Sequence, residues 1–366
     1  MLITIVAGAR PNFMKIAPII KAIKAAQAER KKIGYRLVHT GQHYDAKMSG
    51  DFFDQLGIPK PDANLEVGGG TQAEQTAGVM IGFERDLLAN PTDLVLVVGD
   101  VNSTMACTLA AKKMCVSVAH VEAGIRSGDM SMPEEINRIV TDSICDLFFT
   151  TSETANRFLE SSGVGKNRIH FVGNTMIDTL MQNMGRLKKP DFWDDNQLRR
   201  KRYILLTLHR PANVDEIENL RSYLDAILAG SRGIPVVFPV HPRTRQTLRQ
   251  IDYRQERLLE TEPMGYHEFI YLLRHAKAVI TDSGGITEEA TVLGVPCLTL
   301  RDTTERPETV TMGTNVLVGT EPGKLGSCLD RLFRGEWKQG AIPPLWDGNA
   351  SMRIVDTLLK VGAGPA

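Results

Sequence analysis

Ionisable side chains interrupt one of the most apolar stretches of the chain, "VAHVEAG" at 118–124. Val118 and Val121 suit a buried strand, yet His120 and Glu122 stand within and after it. Ten residues further on, "MPEEINR" adds Glu134. Carboxylates and imidazoles are common proton-transfer groups in active sites. The pattern therefore indicates acid–base chemistry at the end of a strand.

Polar residues follow the other apolar runs in the same way. A single case has a structural explanation, because an aspartate before an Asn-Ser pair can cap a helix and a lone histidine is often a hydrogen-bonded structural group. Ligands of open parallel sheets bind beside the carboxyl ends of the strands. Repetition over six runs therefore predicts an active site there, and the residues concerned are Arg10, Lys15, Asp100, His209, Arg210, His241, Arg243, Asp282 and Ser283.

"DSGGITEEA" at 282–290 is the sharpest local signal. The pattern predicts a strand-to-helix turn at Ser283, Gly284 and Gly285, whose backbone N–H groups can approach an anion closely. The dipole of the following helix would stabilise the negative charge. Glu289 is placed to accept hydrogen bonds from sugar hydroxyls. The alternative is an ordinary glycine-rich turn. The stretch is neither G-x-G-x-x-G nor a P-loop, so it carries no fingerprint of a nicotinamide dinucleotide or a hydrolysed triphosphate.

A second segment whose composition suits anion binding is "RDTTERPET" at 301–309. Its two arginines and its hydroxyl side chains suit a loop that closes over a phosphate or a ribose. A solvated surface loop is the alternative.

Short apolar runs alternate with amphipathic stretches along the whole chain, which predicts parallel α/β architecture. Two such series are separated by the polar, weakly periodic segment 181–202. We therefore expect one domain over 1–180, a connection over 181–202 and a second domain over 203–349. A final helix within 350–366 is expected to join the first domain.

Composition narrows the class of protein. The 43 basic and 43 acidic residues cancel, so bulk charge does not indicate nucleic acid or an anionic membrane as a partner. Five scattered cysteines without a CxxC pair predict neither disulfides nor zinc. The opening "MLITIVAGARP" predicts a first strand rather than a signal peptide, and no run approaches membrane-spanning length. We expect a cytoplasmic protein.

Eight motifs occur in an order that resembles the non-hydrolysing UDP-N-acetylglucosamine 2-epimerase family, from residue 3 to about residue 320. They are "GARPNFMKIAP", "TGQHYDAKM", "VVGDVNST", "HVEAGIRSGD", "PEEINR", "VGNTMID", "DSGGITEEA" and "RDTTERPE". The resemblance implies two Rossmann-like domains in the GT-B arrangement, with the substrate in the cleft between them. It implies interconversion of UDP-N-acetylglucosamine and UDP-N-acetylmannosamine, which supplies aminosugars for cell-surface polysaccharides.

The family's reaction eliminates UDP across C1–C2 to give 2-acetamidoglucal and then adds UDP back, without a metal or redox cofactor. Removal of a weakly acidic C2 proton while a diphosphate leaves requires positioned bases and stabilisation of the departing charge. The matching motifs imply the catalytic residues Asp100, Glu122, Glu134, His209 and Lys15. They imply the substrate-binding residues Arg10, Lys15, His209, Phe269, Ser283, Gly284, Gly285, Glu289 and Arg306.

Several departures from the family pattern leave alternatives. "HRPAN" at 209–213 replaces the commoner His-Arg-Arg-Glu-Asn, and "GGGTQ" replaces the Arg-Gln pair through which UDP-N-acetylglucosamine activates some bacterial members. Relatives that act on 2,3-diacetamido uronates share "GARP". The alternative that these departures leave is epimerisation of a modified UDP-aminosugar. A hydrolysing 2-epimerase, a GT-B glycosyltransferase and a UDP-sugar sensor are the competing functions. The resemblance also implies a homodimer.

Overall fold

A computed structural model of the protein describes residues 1–41, 53, 55–250 and 252–362. The chain forms two compact units. The first comprises Met1–Gln182 and Pro344–Ala366, and the second comprises Asn183–Pro343. Each unit contains one sheet in which every described pair of neighbouring strands is parallel.

The sheet of the first unit has seven strands in the order β3-β2-β1-β4-β5-β6-β7. The strands Leu2–Ala7 and Leu94–Val98 are nearly continuous in buried apolar residues, as expected within a parallel sheet covered on both faces. The seven strands are β1 (Leu2–Ala7), β2 (Gly34–His39), β3 (Ala63–Asn64), β4 (Leu94–Val98), β5 (Ser117–Val121), β6 (Leu147–Thr150) and β7 (Ile169–Phe171).

Helices connect these strands and bury apolar side chains against the sheet. Phe83 and Leu87, for example, join a cluster with Val95 and Val97 of β4. The helices of this unit are α1 (Arg10–Ala28), α2 (Gln72–Ala89), α3 (Asn102–Lys113), α4 (Pro133–Ile144), α5 (Glu153–Ser161), α6 (Thr175–Asn183), whose last residue lies in the second unit, and the C-terminal helix (Ala350–Gly362).

The second unit has a six-stranded sheet in the order β10-β9-β8-β11-β12-β13. Its strands are β8 (Ile204–Thr207), β9 (Val236–Pro239), β10 (Leu258–Thr261), β11 (Ala278–Thr281), β12 (Cys297–Thr299) and β13 (Asn315–Leu317). Its helices are α7 (Phe192–Asp195), α8 (Pro211–Val214), α9 (Ile217–Gly230), α10 (Pro242–Gln250), α11 (Tyr266–His275), α12 (Gly284–Val292), α13 (Pro307–Thr311) and α14 (Pro322–Phe333). The C-terminal helix of the chain is accordingly α15.

Strand order reverses at one place in each sheet, between β1 and β4 in the first unit and between β8 and β11 in the second. Crevices at such switch points are where doubly wound sheets bind ligands. Lys15 and Asp100 follow β1 and β4, while His209 and Ser283 follow β8 and β11. The polar residues predicted from the sequence therefore lie beside both switch points.

The prediction of an α/β protein with two Rossmann-like domains is confirmed. Two strands lack the short apolar run from which parallel strands are predicted, the two-residue β3 and the edge strand β10. In β10, Leu259 and Glu260 are not buried and the sequence "LLET" mixes apolar and polar residues. An edge strand of this kind lacks the long apolar run from which the other strands were predicted.

The observed domain limits differ from the expected ones at two places. Residues 183–202, expected as a connection, belong to the second unit, because Trp193 packs edge-on against Tyr203 and Tyr271 at ring separations of 5.5 and 5.3 Å. Residues 344–349, expected in the second domain, belong to the first. The indole of Trp346 is buried and donates to the Thr151 carbonyl at 2.9 Å.

Candidate active site

A buried ion pair joins two of the predicted catalytic residues. Lys15 Nζ, on α1, donates to Glu122 Oε2 just after β5, and the two side chains are only 11% and 3% exposed. Gly99, directly after β4, lies against this pair. A β-carbon built on Gly99 would be 2.9 Å from Lys15 Nζ and 3.4 Å from Glu122 Oε2. The ion pair thus occupies the space that a side chain at position 99 would need.

Glu122 has a left-handed backbone conformation, with φ = 70°. This conformation costs a residue with a β-carbon about 1–2 kcal/mol. The Glu122 N–H donates to the Phe149 carbonyl at 3.0 Å, and Gly124 follows with φ = 76° where a β-carbon would meet the Ala155 carbonyl at 2.6 Å. The hydrogen bond to Phe149 and the close approach of Gly124 to Ala155 therefore fix the turn after β5. This turn directs the Glu122 carboxylate towards Lys15.

Asp100 is paired with Arg138 of α4. Arg138 Nε donates to Asp100 Oδ2 at 3.0 Å, and the amide of Asn137 donates to the Asp100 carbonyl at 2.9 Å. The Asp100 side chain is 30% exposed, so one face of its carboxylate faces solvent. Since Gly99 lies beside the Lys15–Glu122 pair and directly precedes Asp100, the structure brings Lys15, Asp100 and Glu122 together at the ends of β4 and β5.

Glu134 lies in the first turn of α4, one turn before Asn137 and Arg138. Its side chain is half-buried and makes no hydrogen bond or ion pair with another described residue. Its neighbour Glu135 is buried and accepts hydrogen bonds from the Ser127 N–H at 2.9 Å and the Gly128 N–H at 3.0 Å. Glu135 therefore holds the loop before α4, whereas the Glu134 side chain takes no part in these contacts.

His120 has a structural position inside β5. Nδ1 lies 2.7 Å from Asp142 Oδ1, and Nε2 lies 2.8 Å from the Gly99 carbonyl. The carbonyl and the carboxylate oxygen are both hydrogen-bond acceptors, so each ring nitrogen of His120 faces an acceptor. Burial opposes the charge of Asp142, but His120 and Arg126 outweigh it and lower the pKa of Asp142 below its ordinary value. This buried group links β5, α4 and the carbonyl of Gly99.

In the second unit, His209 and Asp282 come together at the switch point of the sheet. His209 Nδ1 lies 2.7 Å from Asp282 Oδ1, with the imidazole 53% exposed and the carboxylate fully buried. Ser283 follows as the residue before α12, its N–H donating to Thr281 Oγ1 at 3.0 Å. Gly284 and Gly285 begin α12, which gives the predicted glycine turn at a helix N-terminus. Such a turn presents backbone N–H groups and a positive dipole end.

Glu289 and Arg306 are both buried. Glu289 is 4% exposed and accepts a hydrogen bond from the Tyr266 hydroxyl at 2.9 Å. Burial raises the pKa of Glu289 to about 8, although the Tyr266 bond opposes the shift. Arg306 is 9% exposed, and its Nε donates to Glu288 Oε1. Phe269, on α11, is half-buried.

Some of the predicted residues lie beyond what the structure describes. Arg10 is the first residue of α1, but its side chain is outside the described set. Gln42 and His43 of the "TGQHYDAKM" motif also lie outside the described residues. Within the described ranges, no group of three or more His, Cys, Asp or Glu side chains is arranged to hold a metal ion, and no helix is both long and apolar enough to cross a membrane.

The structure adds residues that support the site and that the sequence pattern alone does not single out. Arg138 and Asn137 belong to the "PEEINR" motif, in which Glu134 is the predicted catalytic residue. Their spacing of three and four residues from Glu134, which places them on the same side of a helix, was the available signal. For Asp142 and Tyr266 no local signal exists, because their partners lie 22 and 23 residues away.

The chain is similar to known proteins in sequence and in fold. The family model described as UDP-N-acetylglucosamine 2-epimerase matches residues 25–359. The chain is 39% identical to the UDP-N-acetylglucosamine 2-epimerase of Methanocaldococcus jannaschii over 98% of this chain and 99% of that one. It is 40% identical to the UDP-2,3-diacetamido-2,3-dideoxy-D-glucuronate 2-epimerase of Pseudomonas aeruginosa, over 99% of this chain and 100% of the relative.

A solved structure of the M. jannaschii enzyme, in complex with UDP-GlcNAc and UDP, has a TM-score of 0.86 to this protein and covers 98% of its chain. All of that relative's chain is covered in turn, at 39% sequence identity. The similarity in sequence and fold extends over both units. The chain belongs to the UDP-N-acetylglucosamine 2-epimerase family.

Proposed function

We propose that this protein interconverts UDP-N-acetylglucosamine and UDP-N-acetylmannosamine without releasing free sugar. The observation that supports the proposal most directly is the cluster of Lys15, Asp100 and Glu122 around Gly99. Two carboxylates, each in contact with a cation, stand at neighbouring strand ends, and Glu134 follows on the helix tied to Asp100. A transferase or a sensor has no need for three such groups.

In the proposed reaction a carboxylate of this cluster removes the proton from C2 while the C1–O bond breaks and its electrons pass to the diphosphate. The products of this step are 2-acetamidoglucal and UDP. A second carboxylate then returns a proton to C2 from the opposite face as UDP adds back to C1. Inversion at C2 needs an acid and a base on two faces of the sugar, which a pair of carboxylates can supply.

The remaining residues are proposed to bind the nucleotide. The N-terminus of α12 would hold the diphosphate through backbone N–H groups, with His209 beside it. Glu289 would accept a hydrogen bond from the ribose at Oε2, since the Tyr266 hydroxyl donates to Oε1. Phe269 would contact the uracil. Arg10 and Arg306 are proposed as further substrate arginines, Arg306 exchanging part of its contact with Glu288 for the ligand.

Incubation with UDP-N-acetylglucosamine in deuterated water, followed by NMR, tests the proposal. We expect UDP-N-acetylmannosamine to accumulate to a plateau with deuterium at C2, because the proton returned there comes from solvent. Stoichiometric free UDP and free sugar would instead establish the hydrolysing reaction. An unchanged substrate would overturn the proposed activity.

A modified substrate is a second candidate, supported by the 40% identity to the P. aeruginosa relative. The same NMR assay with UDP-2,3-diacetamido-2,3-dideoxy-D-glucuronate separates the two. For the proposed substrate, kcat/KM with UDP-N-acetylglucosamine should exceed that with the uronate. The reverse order would reassign the substrate but keep the C2 chemistry.

We also propose a cytoplasmic homodimer. Exposed apolar side chains recur on one side of α4, at Ile136 and Ile139, and on α2, at Ile81 and Leu88. Exposed apolar groups at helical spacing favour a protein–protein contact. Light scattering coupled to gel filtration should give twice the 40.4 kDa chain mass. An Ile136→Glu variant should shift the protein towards the monomer.

A further inference from the structure

Asp282 is a buried carboxylate to which His209 donates. It follows β11 directly, while His209 follows the neighbouring strand β8, where Thr281 and Thr207 stand side by side. The Asp282 N–H donates to the Thr207 carbonyl at 3.3 Å, and the two threonine hydroxyls lie 2.7 Å apart. The sheet register therefore sets the position of Asp282 relative to His209.

The carboxylate of Asp282 accepts from several donors at once. Oδ1 lies 2.7 Å from His209 Nδ1. Oδ2 accepts from the backbone N–H groups of His209 at 3.0 Å and Arg210 at 2.9 Å, and from Asn213 Nδ2 at 3.0 Å. Burial by itself opposes the charge, but these donors, His209 foremost, lower the pKa of Asp282 below its ordinary value. The carboxylate is therefore ionised at neutral pH.

An ionised carboxylate can only accept hydrogen bonds. His209 Nδ1 must consequently carry a proton, and Nε2 is the nitrogen left for solvent or ligand. Exposure agrees with this, because the His209 side chain is 53% exposed and the Asp282 side chain is fully buried. One end of the imidazole is anchored and the other is presented beside the N-terminus of α12.

We infer that Asp282 is a positioning residue that fixes the Nδ1–H form of His209, so that Nε2 exchanges a proton with the diphosphate of the UDP-sugar. This inference rests on the proposed epimerase function. During elimination the C1–O electron pair passes to the β-phosphate oxygen, which takes a proton from Nε2 and leaves the neutral Nδ1–H imidazole. During re-addition the proton returns to Nε2 as the C1–O bond forms.

Asp282→Asn tests the inference. The asparagine keeps the shape of the side chain but presents an NH₂ group as well as one oxygen, so its donor can face Nδ1 and force the other tautomer. We expect kcat to fall about 10²–10⁴-fold, the range found when a base loses its orienting partner. The dissociation constant of UDP, measured by calorimetry, should change much less than kcat.

A double-variant cycle with His209→Gln separates positioning from structure. If Asp282 acts through His209, Asp282→Asn should change kcat of the His209→Gln enzyme by no more than about twofold, as for groups that work as a unit. An unchanged 10²-fold or larger loss in that background would overturn the inference. Asn213→Ala is the matched control, because it removes a donor from Oδ2 without touching the imidazole, and it should keep the tautomer.

NMR of the ¹⁵N-labelled parent protein gives a readout that does not depend on activity. His209, assigned by its absence from the His209→Gln spectrum, should keep a proton on Nδ1 at every pH at which the protein is folded. A neutral ring protonated only at Nε2 would overturn the inference even if Asp282→Asn fails to fold. If the parent protein has no epimerase activity, the proposed function is wrong. The tautomer of His209 can still be measured in that case.

Discussion

The three carboxylates proposed to move protons differ in the cations that they contact. Glu122 is buried against Lys15, Asp100 is half-exposed against Arg138, and Glu134 has no ion pair within the described part of the chain. Removing a charge from a buried pair leaves the partner uncompensated, which costs about 3–5 kcal/mol. Substitution of any of these carboxylates should therefore lower the catalytic rate, whereas the loss of stability should depend on whether a buried cation loses its partner.

Glu122→Gln and Glu134→Gln should each lower kcat about 10²–10⁴-fold, because each removes a proton-transfer group while keeping its shape. The free energy of unfolding should fall by about 3–5 kcal/mol only in Glu122→Gln, which strands Lys15. Urea denaturation and steady-state kinetics measure the two effects. A variant blocked only at reprotonation of C2 should release 2-acetamidoglucal and UDP.

The control for Glu122 is the double variant Lys15→Met/Glu122→Gln. It removes the stranded charge, so stability should recover while turnover stays low. Near-normal turnover in both single glutamine variants would contradict the assignment of Glu122 and Glu134 to proton transfer.

Glu289 should make stability depend on pH above the usual range of carboxylates. Because its pKa is raised from 4.5 to about 8, the folded state prefers the protonated form. That stabilisation is complete below pH 4.5 and is lost as pH rises through about 8. Glu289→Gln should therefore gain stability relative to the parent as pH rises across this window, by at most about 1.4 kcal/mol per pKa unit.

Denaturation at a series of pH values measures the difference between Glu289→Gln and the parent. Glu321→Gln, at an exposed position before α14, serves as the control and should run parallel to the parent. Parallel curves for Glu289→Gln as well would show that its carboxyl titrates normally in the folded protein.

At the scale of elements, Asp142 of α4 ties that helix to β5 and to the loop after it. Besides His120, it accepts from the Gly124 N–H at 3.0 Å and from Arg126 Nη1 at 2.6 Å. Through His120 the same group reaches the Gly99 carbonyl. The buried charged cluster of Asp142, His120 and Arg126 therefore fixes the strand ends that carry Asp100 and Glu122.

Asp142→Asn should lower the free energy of unfolding at neutral pH by about 3–5 kcal/mol, since it leaves His120 and Arg126 without their counter-charge. Because the pKa of Asp142 is lowered, the stabilisation is present above its ordinary value of 3.8 and disappears as pH falls through the lowered value. The stability difference between parent and variant should accordingly shrink in acid.

Glu153→Gln on α5 is the control for Asp142→Asn. Its pair with Arg157 has side chains 68% and 69% exposed, so the change should have little effect. A comparable loss in the two variants, or none in Asp142→Asn, would show that the buried cluster does not stabilise the fold.

At the scale of the whole molecule, the chain returns to its first unit after completing the second. Asp178 accepts from the N–H groups of Ala350 at 3.0 Å and Ser351 at 2.6 Å and so caps α15. Trp346, 1% exposed, anchors the segment just before this helix. The first sheet is consequently stabilised by residues that come last in the sequence.

Trp346→Ala should destabilise the first unit by about 3–5 kcal/mol, through the lost burial and the cavity that remains. Hydrogen exchange should show lower protection in β1–β7 and little change in β8–β13. The matched control is Trp337→Ala, because Trp337 Nε1 donates to the Thr314 carbonyl of the second unit at 2.9 Å. Equal loss of protection in both units for either variant would contradict this division.

The sequence by itself determined the two series of parallel strands and the polar residues that follow them. Apolar runs such as Leu94–Val98 are local and are fully buried in the structure, so their pattern is readable without partners. Family motifs likewise marked Lys15, Asp100, Glu122 and the turn at Ser283. These features depend on a few consecutive residues each.

Only the tertiary structure decided which groups meet. Lys15 and Glu122 are 107 residues apart, Arg138 and Asp100 are 38 apart, and Asp282 and His209 are 73 apart. Such pairs depend on strand order and register, which place distant strand ends side by side, and local periodicity carries no information about them. The same reason explains the domain limits, since Trp193 and Trp346 join a unit through burial against residues remote in sequence.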